Sequence, residues 1–108
     1  MTAQTQYVTH VLGQYVKLPG TLRRVLRQDR RTALGLYRRG VGINLIENAF
    51  VLAIARRTLR PDAAQLEPIR CLQYFVPIVD ELINEPPLPE YLDYLKNKLI
   101  TAGVIPTA

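Results

Sequence analysis

The chain has 108 residues, 48% of them apolar, with a mean hydropathy of +0.01 and a formal net charge of +5. That length and apolar share point to one small folded domain and exclude both a two-domain protein and wholesale disorder. With a single cysteine, Cys71, and a single histidine, His10, an intrachain disulfide and the usual clustered zinc site are excluded too.

Residues 1–20 read as an irregular lead-in rich in Thr, Gln, Tyr and Val, with room for a short strand around Tyr7 to Leu12. The Pro19-Gly20 pair closes it as a turn. Residues 21–101 then form the helical domain. Leu22, Val25 and Leu26 suggest a separate helical turn with Arg23, Arg24 and Arg27 facing out. Asp29 is the expected N-cap of a helix over Arg30 to Arg39, stopped by Gly40 with Val41 packing back.

The strongest helix signal runs from Ile43 to Leu59. Its apolar residues cover more than one stripe, as in a central buried helix, and Pro61 limits it to an end near Arg60. Pro61 to Glu67 is a loop. A fourth helix is expected from Pro68, with Ile69, Leu72, Phe75, Val76, Val79, Leu82 and Ile83 recurring at three and four, and a kink or break at Pro77. Asn84 to Pro89 is a stiff three-proline connector. A last helix, Glu90 to Leu99, carries Tyr91, Leu92, Leu95 and Leu99 on one face, and residues 102–108 form a tail. The expected fold is all-α, a compact bundle of four to five helices after an irregular N-terminal segment.

The charge is unevenly placed. Lys17 to Arg70 holds 12 basic and 4 acidic residues, a net of +8, whereas Cys71 to the end holds 2 basic and 5 acidic, a net of −3. Eleven of the fourteen cations are Arg, whose planar fork bonds phosphate and carboxylate bidentately where Lys offers a point charge. Two readings follow: a solvated basic face paired with the acidic half, or a surface for a polyanion such as nucleic acid. Arg23, Arg24, Arg27, Arg30 and Arg31 crowd nine residues. Arg38 and Arg39, and Arg56, Arg57 and Arg60, end the two following helices. Antiparallel packing of those helices would make one long basic band suited to a phosphate backbone. Tyr37, Tyr74, Tyr91 and Tyr94 are the aromatic residues placed to stack on unpaired bases, Tyr74 first among them, against the commoner role of closing a core edge.

Catalysis finds no support. No Gly-rich phosphate loop or nucleophile constellation is present, and Asp80 and Glu81, adjacent on a helix, point apart. Cys71 reads as a packed thiol. No cofactor or metal is expected. A helix-turn-helix over Asp29–Arg39 and Ile43–Leu59 has the right glycine turn, but its second helix is too apolar to read a groove. The longest nearly charge-free apolar run, Ala49 to Ala55, is too short to span a bilayer, and no secretory leader is visible. A cytoplasmic protein without a membrane partner is expected.

The run from Ala33 to Ile83 resembles the DnaD-like domain of bacterial and phage replication-initiation proteins. Asn44-Leu45-Ile46-Glu47-Asn48-Ala49 matches that family's pelI-xx-A pattern, and Tyr74 and Ile78 match the start of its Tyr-x3-Ile-x3-Trp motif. Leu82 stands where the family has Trp, and Pro77 falls inside the motif. The resemblance implies a helical fold, DNA as a partner, a larger replication or mobile-element protein as a second partner, and roles for Tyr74 and Ile78. The combined expectation is a non-catalytic nucleic-acid-binding accessory protein, DNA being the expected ligand, in replication initiation or maintenance of a mobile element. The alternative is a protein-interaction module, with the Tyr-rich last helix as its docking element.

Overall fold

The computed structural model describes residues 2–60 and 66–105. Among them are five α-helices: α1 (Ala3–Lys17), α2 (Arg27–Arg38), α3 (Ile43–Thr58), α4 (Val76–Asn84) and α5 (Pro89–Thr101), with a 3-10 segment, Leu72–Phe75, leading into α4. No strand occurs among these residues. The fold is all-α.

The N-terminal segment departs most from the sequence expectation: it is a helix, neither irregular nor a strand. Thr2 caps it, its Oγ1 accepting the Thr5 N–H at 3.1 Å. Tyr7, Val8, Val11, Leu12, Tyr15 and Val16 recur at helical spacing, and Val11, Leu12 and Tyr15 are buried. β-branched and aromatic residues are mediocre helix formers in isolation. Here the face they make is covered by α2 and α3, and the packing decides. The Tyr7 hydroxyl donates to the Val41 carbonyl at 2.7 Å, tying α1 to the turn between α2 and α3.

α3 is the centre of the molecule, as its all-round apolarity implies. Seven of its residues are buried, and it packs on α1, α4, α5 and the 3-10 segment. Phe75 joins the layers: its ring meets Phe50 at 4.9 Å, Tyr15 at 6.1 Å and Tyr74 at 5.2 Å, all edge-to-face. Such aromatic contacts add to the burial itself.

Three further expectations change. Leu22 to Leu26 make no helical turn; the segment bends at Arg23 and Arg24, and Arg23 takes a left-handed φ of +58°. Asp29 is not the cap but the third residue of α2, which starts at Arg27 with Leu26 as its N-cap. No helix begins at Pro68: residues 66–71 are extended, and Ile69 bridges Thr21 in parallel, donating to the Gly20 carbonyl (2.7 Å) and accepting from Leu22 N–H (3.2 Å). The apolar run from Ile69 therefore divides among a strand-like clasp, a 3-10 turn and α4. Pro77 kinks nothing, because it stands in the first turn of α4, where its missing N–H has no partner to lose.

Two helix ends follow their glycines. Gly40 (φ +76°) ends α2, with Val41 N–H on Leu36 O at 3.1 Å and Gly40 N–H on Tyr37 O at 3.0 Å. Gly103 (φ +74°) ends α5 with the same pair of bonds, to Leu99 and Ile100. This is the left-handed stop that glycine adopts without a Cβ clash. Val104 and Ile105 fold back onto the core. The loop expected from Pro61 falls partly outside the described residues, as does Pro106. Among the described residues, no helix is long and apolar enough to cross a membrane.

Candidate nucleic-acid interface

The orientation of α2 is set from inside. Asp29 is fully buried. Its Oδ2 accepts the Leu26 N–H at 2.8 Å, closing the first turn, and its Oδ1 accepts the Leu72 N–H at 2.9 Å, docking the 3-10 segment. A carboxylate out of water needs such donors. Ala33 and Leu36 are buried on the same side. At 3.6 residues per turn, Arg27, Arg31 and Arg38 then fall within about 40° of one another on the opposite side, over about 16 Å of axis. Arg30 flanks them. All four are exposed, and none has a side-chain partner among the described residues. Arg23 and Arg24, in the segment feeding α2, are exposed and equally unpaired there.

The other expected site residues are placed differently. Arg39 bonds Asp80 at 2.6 Å. Arg56 grips Glu81 with both nitrogens, at 2.9 and 2.5 Å. Hydrogen bonding from Arg56 holds the Glu81 carboxyl below the usual carboxylate range, and the bond from Glu81 raises the guanidinium in turn. The adjacent acids of α4 thus point apart, as expected: Asp80 takes the arginine that follows α2, and Glu81 one from α3. Arg57 donates to the Glu67 carbonyl at 2.6 Å and lies 5.7 Å from the centre of the Tyr74 ring, beside Gly20. Arg60 is exposed just beyond α3.

α2 and α3 are not a close-packed antiparallel pair; α2 lies on α1 and the 3-10 segment. The single band expected from such a pair is instead two regions. One is the unpaired arginine face of α2 with Arg23 and Arg24. The other is the paired set Arg39, Arg56 and Arg57, which ties helices and loops together. α3 is also too deeply buried to enter a groove of DNA as a reading helix.

Tyr74 lies in the 3-10 segment, 42% exposed, with Arg57 on its face. Ile78 is half-buried in α4, so the Tyr-x3-Ile spacing crosses the junction of two helix types. Tyr37 packs edge-on against Tyr7 at 5.2 Å. Tyr91 and Tyr94 stand exposed on α5, which packs on α3, and Lys98 sits 5.5 Å over the Tyr94 ring.

Two concavities matter. A cleft of about 410 Å³ between the C-terminal end of α1, α3 and α5 has an apolar floor that includes Phe50 and Ile54, and a rim of balanced charge: Lys17, Lys96, Glu47 and Asp93. A shallower groove of about 470 Å³ runs between α2 and the 3-10 segment, with Arg31 and Arg39 at its edges. The groove residues Thr32, Gly35 and Gln73 were not legible as a site. Their one sequence signal is a glycine in the middle of a helix.

No family model, no curated protein and no solved structure matches the chain.

Proposed function

We propose that this protein binds nucleic acid, DNA being the first candidate, through the phosphate backbone, without catalysis, using the arginine face of α2. One observation carries the reading: Arg27, Arg31 and Arg38 share a face opposite buried Asp29, Ala33 and Leu36, Arg30 flanks that face, and none of the four has a side-chain partner among the described residues. Their position adds support. Arg27, Arg30 and Arg31 lie at the positive end of the helix dipole, where cations are disfavoured until an anion arrives. Arg23 and Arg24 extend the face. Arg39, just past the end of α2, lies beside it across the groove; Arg56, Arg57, Arg60 and Tyr74 stand apart as secondary candidates. The DnaD-like resemblance suggests replication initiation or mobile-element maintenance as the setting.

The test is fluorescence anisotropy with labelled DNA at two salt concentrations, on the native protein and on the triple variant Arg27→Glu, Arg30→Glu, Arg31→Glu. Steeply salt-dependent binding, abolished in a variant that keeps its helical circular dichroism, is the expected result. Unchanged affinity in the folded variant rejects the reading.

A second reading rests on α5. Leu88, Tyr91 and Tyr94 are 71%, 49% and 53% exposed there, beside the acidic Glu90 and Asp93. Such a surface suits docking to a protein. Salt-dependent self-association in size exclusion, without DNA affinity, would favour this reading over the first.

A further inference from the structure

The groove between α2 and the 3-10 segment adjoins the arginine face, and Arg31 belongs to both. Its floor is Leu36 and Val76, and Gly35 leaves bare helix backbone along it. That glycine has no structural explanation. It lies inside α2 with no left-handed φ, and a Cβ built on it would meet nothing within 4 Å. Alanine would suit the helix better. What glycine does supply is depth in the groove.

The groove also carries polar groups on one edge. The Thr32 hydroxyl donates to the Gln28 carbonyl at 3.0 Å and stands 3.4 Å from Gln73 Oε1. That long contact, to the carbonyl oxygen, is all that engages the Gln73 amide among the described residues, so its NH2 group and a second lone pair on the oxygen remain to be met. An amide offering a donor and an acceptor side by side complements the edge of a nucleobase. The groove is open to solvent, with about 470 Å³ of space above its floor.

We infer that this groove seats an unpaired nucleobase of a single strand whose phosphates run along Arg27, Arg31 and Arg38. The inference rests on the phosphate-binding reading above and adds the strand class. In a duplex the bases are stacked and paired, so a recess of this kind is reached only by a base already free or extruded. Arg31, at the border of face and groove, engages the phosphate beside the seated base. Leu36 and Val76 supply apolar contact to its ring, and Gln73 reads its edge. Arg39, held by Asp80, bounds the far side.

Three labelled 15-mer DNAs separate the possibilities in anisotropy titrations at fixed salt: a mixed-sequence single strand, its duplex, and a single strand of abasic sites. The single strand is expected to bind at least tenfold more tightly than either of the others. Gly35→Phe, which fills the groove, brings the single-strand to duplex ratio close to one, and Gln73→Ala lowers it. Circular dichroism verifies that both variants are folded, and the abasic strand tests the same point on the unaltered protein. Equal affinity for the base-bearing and abasic strands overturns the inference, as does a ratio unchanged in folded Gly35→Phe. If all three DNAs bind alike and charge reversal on α2 abolishes binding, the phosphate reading stands and the base site falls. If none binds, both fall.

Discussion

The carboxylate of Asp29 accepts the amide N–H of Leu72 at 2.9 Å, across 43 residues of chain, while its other oxygen closes the first turn of α2 on Leu26. One buried side chain thereby fixes both the start of the arginine helix and the position of the 3-10 segment that faces it. The groove between them depends on that bond.

Asp29→Ala is therefore expected to destabilise the fold by about 3 kcal/mol, from two backbone donors left in the interior without a charged acceptor. Asp29→Asn, keeping one carbonyl oxygen, should lose about half as much. Urea denaturation followed by circular dichroism measures both. A loss below about 1 kcal/mol for the alanine variant would mean that the two donors find other partners.

Tyr15 presents the opposite case. Its ring is fully buried against Phe75, and its hydroxyl has no hydrogen-bond partner among the described residues. Tyr15→Phe should leave stability unchanged or raise it by about 1 kcal/mol, because an unsatisfied buried hydroxyl is removed. Burial, then the nearby Asp29 and Cys71, push the Tyr15 hydroxyl up from 10 to about 12. Between those values the unfolded chain releases a proton that the folded chain retains, so stability should fall as pH rises from 10 towards 12. The Tyr15→Phe variant should lose that part of the decline.

Two glycines should respond with opposite signs. Gly40 holds φ +76° at the end of α2, and Gly40→Ala is expected to cost about 1 kcal/mol. Gly13 lies inside α1, and a Cβ there meets nothing within 4 Å. Gly13→Ala should stabilise by about 0.5–1 kcal/mol. Thermal melts of the two variants, run side by side, check the contrast.

The Arg56–Glu81 pair should contribute little despite its two-pronged geometry. Both side chains are about half exposed, 52% and 42%, which limits the coupling to about 0.5 kcal/mol. Because Glu81 is held below its ordinary 4.5, that contribution is present above this value and is lost as pH falls through the lowered one. A double-mutant cycle at pH 7 and at pH 3, in low and high salt, measures it.

Salt titrations should separate the two arginine regions. Arg38→Ala removes one cation from the open face of α2, so the slope of log affinity against log salt should shrink by about 0.7–0.9. The double variant Arg56→Ala, Glu81→Gln removes a pair that is already neutral as a unit and should leave the slope unchanged. A change of equal size in both would place phosphates along the whole set.

The sequence by itself determined the all-α class, the central helix, the glycine stop at Gly40 and the arginine-rich character of the region before it. Each is carried by a local pattern: the apolar breadth of Ile43 to Leu59, a glycine where the chain must turn left-handed, a run of cations. The spacing of Tyr7, Val8, Val11, Leu12, Tyr15 and Val16 also held α1, but weak helix formers and missing charges concealed it until a covering surface was present. Tertiary structure alone decided the rest. Only the fold brings Leu72 to Asp29, turns residues 66–71 into a clasp with Thr21, and divides the arginines into those with partners and those without. The physical reason is distance along the chain. A cation's availability depends on which carboxylate lies within reach, and Asp80 and Glu81 stand 41 and 25 residues from the arginines they hold.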